Sequence, residues 1–365
     1  MTNRRTNDLN GPVTRLPDAL RGHDRSADRD SVSPAVAERG SAGGDAHGRN
    51  ADNPAQIPAQ GWKDVAVRVK RQVKEDNVGL IGAGVAFYSF LALFPAMIAL
   101  ISLYGLVVQP SEVAKQINSL LESVPQEQKK IITDQLTELT KGDRAGLGIS
   151  LVLAILLALW SASGGMRALM TGLNIAYDEV ESRKFVKLRV ISLGLTLAVI
   201  VFTVVTLTAV IGVPAAFDPD QPIGLALAWL RWPVLAALMV AGLAFLYRYG
   251  PDRDKPKWGW ASWGAGIATA LWLLMTVVFS FYVSSFANFQ KTYGGFASVI
   301  VLLTWMSLTA FIVLLGAEIN AELERQTTED TTEGADRPMG QRDAYSADTV
   351  GATADELKNQ EVTSQ

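Results

Sequence analysis

The sequence predicts an all-α polytopic membrane protein with six transmembrane helices and an extracytoplasmic helical hairpin between the first two. Residues 78–108 form a run of 31 without one charge, although charged residues make up 19% of the 365-residue chain. Five more apolar stretches follow, each long enough to cross about 30 Å of hydrocarbon as a helix. None shows the alternating pattern of a membrane β-barrel strand. The six predicted spans are 78–108, 147–166, 190–217, 226–247, 258–286 and 294–317.

Basic residues mark every second connection between these spans. They precede the first span, and they recur in the connections after the second and the fourth spans. The connection 218–222 has no Lys or Arg, and the connection 287–293 has only Lys291. Because Lys and Arg concentrate on the cytoplasmic side of membrane proteins, both termini are predicted to be cytoplasmic.

The chain divides by composition into two tails and a membrane domain. Residues 1–60 contain eight Arg, eight Asp or Glu and no aromatic residue, and residues 326–365 are acidic and rich in Thr. Neither tail has enough apolar surface to order itself, so both are predicted to be disordered and cytoplasmic. The membrane domain is predicted over 61–325, with the outer hairpin at 109–146, where two short amphipathic helices are read from the apolar spacing.

Residues 61–75 predict an amphipathic helix before the first span. Trp62, Val65, Val69 and Val73 fall on one side of it. Two interpretations stay open: a helix that lies in the plane of the lipid headgroups, or a simple positive-inside anchor. In the first, membrane lipids with anionic headgroups are the expected partners. The predicted headgroup contacts are Lys63, Arg68, Lys70, Arg71, Arg183, Lys184 and Lys187.

Polar residues near the ends of the spans predict a cavity or a gate. Arg231 stands between Trp229 and Trp232 near one end of the fourth span, and a charge in a span is a functional candidate by default. An interfacial anchor explains it as well, because the residue lies within snorkelling reach of the surface. An Arg167–Glu318 pair is a candidate gate, and ordinary interfacial charges are the alternative. The full candidate set is Arg231, Arg167, Glu318, Asn320, Asn288 and Tyr293.

Small residues and one proline predict how the helices pack. Pro95 lies in mid-span, where it removes a backbone hydrogen bond and is expected to kink the helix. The spacing of Gly82 and Ala86 favours a close helix contact, and Ser262, Gly266 and Ala270 repeat the device in the fifth span. Such stripes occur at transporter sites and also in plain packing interfaces.

Several chemistries are disfavoured by composition. Cysteine is absent, and the two histidines, His23 and His47, fall in the N-terminal tail. No cofactor, metal site or catalytic residue is therefore predicted. The net charge of −3 does not favour nucleic acid as a partner. Ribonuclease activity needs clustered carboxylates, and the only candidates, at 178–181, are read more simply as a solvated loop.

The order of motifs resembles the YihY/BrkB-type family of bacterial inner-membrane proteins over about residues 60–325. The resemblance is carried by FYSFLALFPAMIALISLYG at 87–105, AYDEVESRKFVKLR at 176–189, LYRYGPDRDKPKWGW at 246–260 and FSFYVSSFANFQKTYGGFASVIVLLTWMSLTAFIVLLGAEINAELE at 279–324. It implies six transmembrane helices and a bacterial plasma-membrane location. It implies no catalytic site, since family members are described as virulence factors, candidate transporters or, under an old label, ribonuclease BN.

Three functions follow as hypotheses. The favoured one is transport or export of a solute or lipid-related molecule across the inner membrane, which predicts a water-accessible path beside Arg231 or Glu318. A non-transporting envelope scaffold, or a virulence-associated membrane protein, is the second. Ribonuclease activity is the third and is disfavoured, so the protein is not expected to be an enzyme.

Overall fold

The structure is a computed structural model, and it describes residues 45–107, 147–208, 222–285 and 295–363. Within these ranges the chain is helical apart from turns, irregular segments and an isolated β-bridge. The helices are α1 (Ala59–Glu75), α2 (Val78–Val107), α3 (Leu147–Ala176), α4 (Phe185–Leu207), α5 (Pro222–Tyr249), α6 (Trp258–Ser285), α7 (Gly295–Glu324), α8 (Tyr345–Asp348) and α9 (Ala354–Thr363).

The six long helices α2 to α7 lie where the six spans are predicted, which confirms an all-α polytopic membrane protein. In the described residues, five of them, all but α3, are long and apolar enough to cross a membrane. Helices α3 and α7 extend beyond the predicted spans, to Ala176 and Glu324. Their extensions carry polar side chains that the protein buries, which apolarity alone does not reveal. The predicted hairpin at 109–146 lies outside the described residues.

The helices alternate in direction, so that one end of the bundle gathers the N-terminal ends of α2, α4 and α6 and the C-terminal ends of α3, α5 and α7. We call this end, together with α1, the base. Helix α7 is central, because it contacts α1, α2, α3 and α6. The main apolar core lies beside it and includes Met170, Leu173, Tyr247 and Leu314, which are all buried. A bundle held this way positions the polar end of α7 in the middle of the base.

Small residues let α7 approach its neighbours closely. The sequence predicts such contacts, although not every residue that makes them. A Cβ on Gly82 of α2 would lie 3.1 Å from the backbone nitrogen of Phe311, so α2 and α7 meet at this glycine. The stripe expected on α6 is wrong in register. Gly266 has open space around it and Ala270 is exposed, whereas the neighbouring face with Gly264 is buried against α7. Sequence spacing shows that a helix has a small-residue face but does not fix which of two adjacent faces is used.

Replacing Gly264 with alanine is expected to destabilise the protein by about 1–3 kcal/mol, the usual cost of overpacking. The new Cβ would lie 2.5 Å from Oδ1 of Asn320 and closer still to the carbonyl oxygen of Gly316, so backbone must shift. Thermal unfolding of the purified chain in detergent measures the effect. Gly266→Ala is the matched control on the same helix and should be neutral or slightly stabilising. Equal melting temperatures for the two variants would show that α6 and α7 are not packed as described.

Helix α1 is confirmed as an amphipathic helix, but its apolar face packs against protein. Val65 and Val69 are buried in a second small core with Trp260 of α6 and Leu323 of α7. The ring of Trp62 lies 5.7 Å, centre to centre, from that of Trp263. In this arrangement the apolar stripe is not available to lipid. A turn at Asn77, whose φ of 52° suits asparagine, then leads into α2.

The segment 326–363 was expected to be a disordered tail, and the structure corrects this. It crosses the base, where Thr332 forms a β-bridge with Pro256. Its order depends on hydrogen bonds more than on apolar burial. The guanidinium of Arg342 donates to the backbone carbonyls of four residues of the same segment: Thr328, Glu329, Arg337 and Ala347. Composition predicts disorder because apolar residues are scarce in this segment, but it does not reveal a hydrogen-bond network within the segment.

Residues 46–58 also join the base, so the predicted N-terminal tail is too long by this segment. The Nη2 of Arg49 donates to the carbonyl oxygen of Gly351 over 2.8 Å, and the Thr328 N–H donates to the Arg49 carbonyl over 2.7 Å. The segments 46–58 and 326–363 therefore meet at the same end of the bundle. Residues 1–44 lie outside the described part.

Candidate functional site

A buried carboxyl group on α7 is the most unusual polar feature of the base. Glu318 is only 1% exposed, and within the ranges that the structure describes no basic side chain or backbone N–H donates to its carboxylate, which faces the carboxyl group of Asp76. The charges that act on it include the carboxylates of Asp76, Asp178 and Glu322. A carboxyl group in this setting gains little from its surroundings when it is ionised, so it is disposed to bind a proton or another cation.

The predicted partner of Glu318 is elsewhere. Arg167 makes no ion pair with Glu318, and its Nε is buried without an acceptor among the described residues. Arg167 instead lies near Arg189 of α4, close enough for the two charges to interact. The Arg167–Glu318 gate is therefore wrong as a direct pair.

Asn320 holds two helices together. Its Nδ2 donates to the carbonyl oxygen of Ala261 over 3.1 Å, and its Oδ1 accepts from the backbone N–H of Gly264 over 2.7 Å. Both amide groups of this fully buried side chain are thus used in the contact between α6 and α7. Asn320 was a candidate for a cavity or gate, and the structure gives it a packing role.

Buried ion pairs surround Glu318, and sequence reasoning missed them. Arg68 of α1, which is 4% exposed, donates to the Glu322 carboxylate and over 2.7 Å to Oε1 of Gln326. Arg325 shares Glu322 over 2.7 Å. Glu324 points to the other side and is bound by Arg253. The available signal was the run of acidic residues at the end of the last span, which has to be matched by arginines elsewhere.

The predicted headgroup contacts divide into two groups. Arg68 is paired inside the base, and Arg183 is bound by Glu181 over 2.6 Å and by Asp252 over 3.5 Å. These two predictions are wrong, because the sequence shows a positive charge but not the carboxylate that faces it. The others have exposed side chains, which leaves their predicted contact with lipid open: Lys63, Lys70, Arg71, Lys184 and Lys187.

The remaining candidates are Arg231, Asn288, Tyr293 and the expected kink at Pro95. Arg231 is exposed on α5, with its guanidinium 5.4 Å from the ring centre of Trp232, an arrangement that suits an interfacial anchor. Asn288 and Tyr293 lie outside the described residues. Helix α2 continues through Pro95, and a kink there stays a prediction.

The carboxylates at 178–181 hold the base together. Oε1 of Glu179 accepts from the backbone N–H of Tyr345 over 2.8 Å, and Glu181 binds Arg183 and the side-chain amide of Asn174. Burial raises the pKa of Glu179 to about 7. Partial burial opposes ionisation of Glu181 as well, but its bonds to Arg183 outweigh this and lower its pKa. Within the described residues, no group of three or more His, Cys, Asp or Glu side chains is arranged to hold a metal ion.

Known proteins show strong similarity to this chain. The family model described as "Virulence factor BrkB" matches residues 69–340. The ribonuclease-like protein YfkH of Bacillus subtilis is 33% identical over 252 residues, which are 67% of this chain and 89% of YfkH. The UPF0761 membrane protein IL2447 of Idiomarina loihiensis is 24% identical over 261 residues, 70% of this chain and 88% of the relative. No solved structure matches.

Proposed function

Because the chain belongs to the BrkB family, whose relatives are named membrane proteins, we propose that it transports or exports a solute or lipid-related molecule across the bacterial inner membrane. The observation that carries the proposal is Glu318. An ionisable side chain inside a membrane protein is costly unless it is paired or serves a cargo, a proton or a water-filled path. Glu318 lies one residue beyond the predicted span 294–317, near the end of the part of α7 that is long and apolar enough to cross a membrane, and no basic side chain or backbone N–H donates to its carboxylate in the described chain.

Glu318 differs from the two acidic residues that follow it on α7, because arginines bind those two. Glu322 and Glu324, four and six residues further along α7, are bound by Arg68 and Arg253. The base therefore has cations to neutralise its structural carboxylates, and Glu318 is the acidic residue among these three that they do not reach. We assign Glu318 the role of the cation- or proton-binding group of the transport path.

The proposed orientation places the base in the cytoplasm. Exposed lysines and arginines, including Lys70, Lys184 and Lys187, lie on this end, and Lys and Arg concentrate on the cytoplasmic side of membrane proteins. The contact between Arg49 and Gly351 supports a common compartment for the two ends of the chain.

The proposal includes no phosphodiesterase role, although the relative YfkH is named ribonuclease-like. Cleavage of a phosphodiester needs carboxylates that are free to hold a metal or to take a proton. Glu179 and Glu181 are instead occupied by Tyr345 and Arg183.

Water access to position 318 tests the proposal. The chain has no cysteine, so Glu318→Cys carries a single thiol. We expect a charged thiol reagent to label it in native membrane vesicles at least tenfold faster than Leu314→Cys. Leu314 is the matched control, since it lies one turn earlier on α7 and is equally buried in the apolar core. Lys63→Cys, on the exposed face of α1, gives the maximal rate.

Equal and negligible labelling of Glu318→Cys and Leu314→Cys would contradict transport through this site. A solid bundle of that kind would favour the envelope scaffold. Labelling must be repeated after the vesicles are made permeable, so that an unreached compartment is not mistaken for a buried thiol.

A further inference from the structure

Two arginines from adjacent helices lie together without a carboxylate. Nη1 of Arg189 on α4 donates to Oγ of Ser163 on α3 over 2.9 Å. Ser163 lies one helical turn before Arg167, on the same face of α3. This face therefore carries both the serine that binds Arg189 and the side chain of Arg167. The two positive charges act on each other.

The pair differs in its electrostatics from three arginines of the base whose side chains are buried. Arg68, Arg183 and Arg253 each have a carboxylate partner. Arg167 and Arg189 have none in the described ranges, and the Nε of each is buried without an acceptor there. Two like charges that are partly withdrawn from water repel each other and leave donors unused, which is unfavourable unless an anion completes the arrangement.

The location of the pair indicates where that anion comes from. By charge and apolarity, the second span ends at 166 and the third begins at 190, so the arginines stand at the level of the lipid headgroups. The guanidinium of Arg189 lies 3.9 Å from the ring centre of Trp160, and Trp160 is 44% exposed on the apolar outer surface. Tryptophan is enriched at this level of the membrane. The site therefore faces the lipid.

We propose that Arg167 and Arg189 bind the phosphate group of an anionic phospholipid in the leaflet at the base. The planar guanidinium presents parallel N–H donors that match phosphate oxygens, and a pair of them suits one phosphate better than a lysine does. Arg189 is held in place by Trp160 and Ser163. Arg167 donates no hydrogen bond within the described residues and supplies the free donors. The site is independent of Glu318 and of transport.

Lipid-dependent thermal stability tests the site. The purified full chain in detergent is titrated with phosphatidylglycerol, with phosphatidylcholine and with inorganic phosphate. We expect phosphatidylglycerol to raise the melting temperature of the wild type more than phosphatidylcholine does. Arg167→Gln and Arg189→Gln should each require at least tenfold more phosphatidylglycerol for half of the effect. Lys74→Gln on α1 is the matched control, because it removes one exposed charge of the base that is not among the predicted headgroup contacts, and it should behave as the wild type.

The outcomes separate the two sources of phosphate. Stabilisation by inorganic phosphate that both arginine variants lose would retain the phosphate site but assign it to a soluble ligand. If phosphatidylglycerol stabilises the wild type no more than phosphatidylcholine does, the proposal is overturned without any variant. It is also overturned if Lys74→Gln loses as much as the arginine variants. Should a glutamine variant fail to fold, Arg167→Lys keeps the charge, and we expect an intermediate loss because only the paired donors are removed.

Discussion

Replacing Arg253 with methionine is expected to lower the free energy of unfolding by about 3–5 kcal/mol, the cost of removing one partner from a buried ion pair. Arg253 donates from Nη1 and Nη2 to the two carboxylate oxygens of Glu324 over 3.1 and 2.6 Å. Both side chains are 0% exposed. The variant leaves the Glu324 carboxylate buried with the hydroxyl of Thr331, at 2.8 Å, as its remaining donor in the described chain.

The position of this pair explains why its loss should be felt widely. Arg253 comes from the connection between α5 and α6, Glu324 ends α7, and Thr331 belongs to the C-terminal segment. The guanidinium also lies 4.9 Å from the ring centre of the buried Tyr177, at the end of α3. The Arg253–Glu324 pair thus joins four parts of the base.

Thermal unfolding of the purified chain in detergent measures this prediction. Arg71→Met is the control, since Arg71 and Glu75 form an exposed pair in which the side chains are 46% and 51% exposed, and such pairs contribute about 0–1 kcal/mol. The double variant Arg253→Met with Glu324→Leu should recover part of the loss, because no unpaired charge stays buried. Equal stability of Arg253→Met and Arg71→Met would refute the buried pair.

The second large effect is a pH dependence that Glu179→Gln should remove. Burial raises the pKa of Glu179 from 4.5 to about 7, with further contributions from Asp343 and Glu324 and opposing ones from the Tyr345 N–H and Arg253. Between pH 4.5 and 7 the folded chain keeps a proton that the unfolded chain has lost. The contribution of this group is therefore complete below pH 4.5 and is lost as the pH rises through 7, by about 3 kcal/mol in total.

Melting temperatures at pH 5 and pH 8 test this prediction. Gln keeps the oxygen that accepts from the Tyr345 N–H, so Glu179→Gln should match the wild type at pH 5 and exceed it at pH 8. Glu75→Gln changes an exposed carboxylate and is expected to follow the wild type at both values. If Glu179→Gln shows the pH slope of the wild type, Glu179 does not titrate in this range.

The sequence predicts the helices well, because a membrane span is a local property. Uncharged runs such as 78–108 must form helices in lipid, and the apolar spacing of Val65 and Val69 predicts α1. What α1 packs against is not local. Its apolar face meets Leu323, more than 250 residues later, so the choice between lipid and protein as its partner could not be read from the stripe alone.

The candidate site was predicted in part. Glu318 was selected because it ends the last span, and the structure makes it more unusual than the sequence suggests. Arg68 and Arg183 were predicted to contact lipid headgroups because positive charges near a span usually lie at the membrane surface. In the structure each is bound by a carboxylate. The ordered structure of 326–363 was not predicted for a related reason. Arg342 donates hydrogen bonds to several backbone carbonyls of this segment, and composition does not indicate such bonds.

The ribosome makes the chain from its N-terminus, and the base cannot form until the residues after the last span have been made. Arg68 meets Glu322 254 positions later, and the carboxylate of Asp64 accepts from the Ala354 N–H. While the ribosome is still making the last span, α1 carries a guanidinium and a carboxylate that have yet to meet these partners. We therefore expect a chain that stops short of residue 322 to be degraded faster in the cell than a chain that includes these partners.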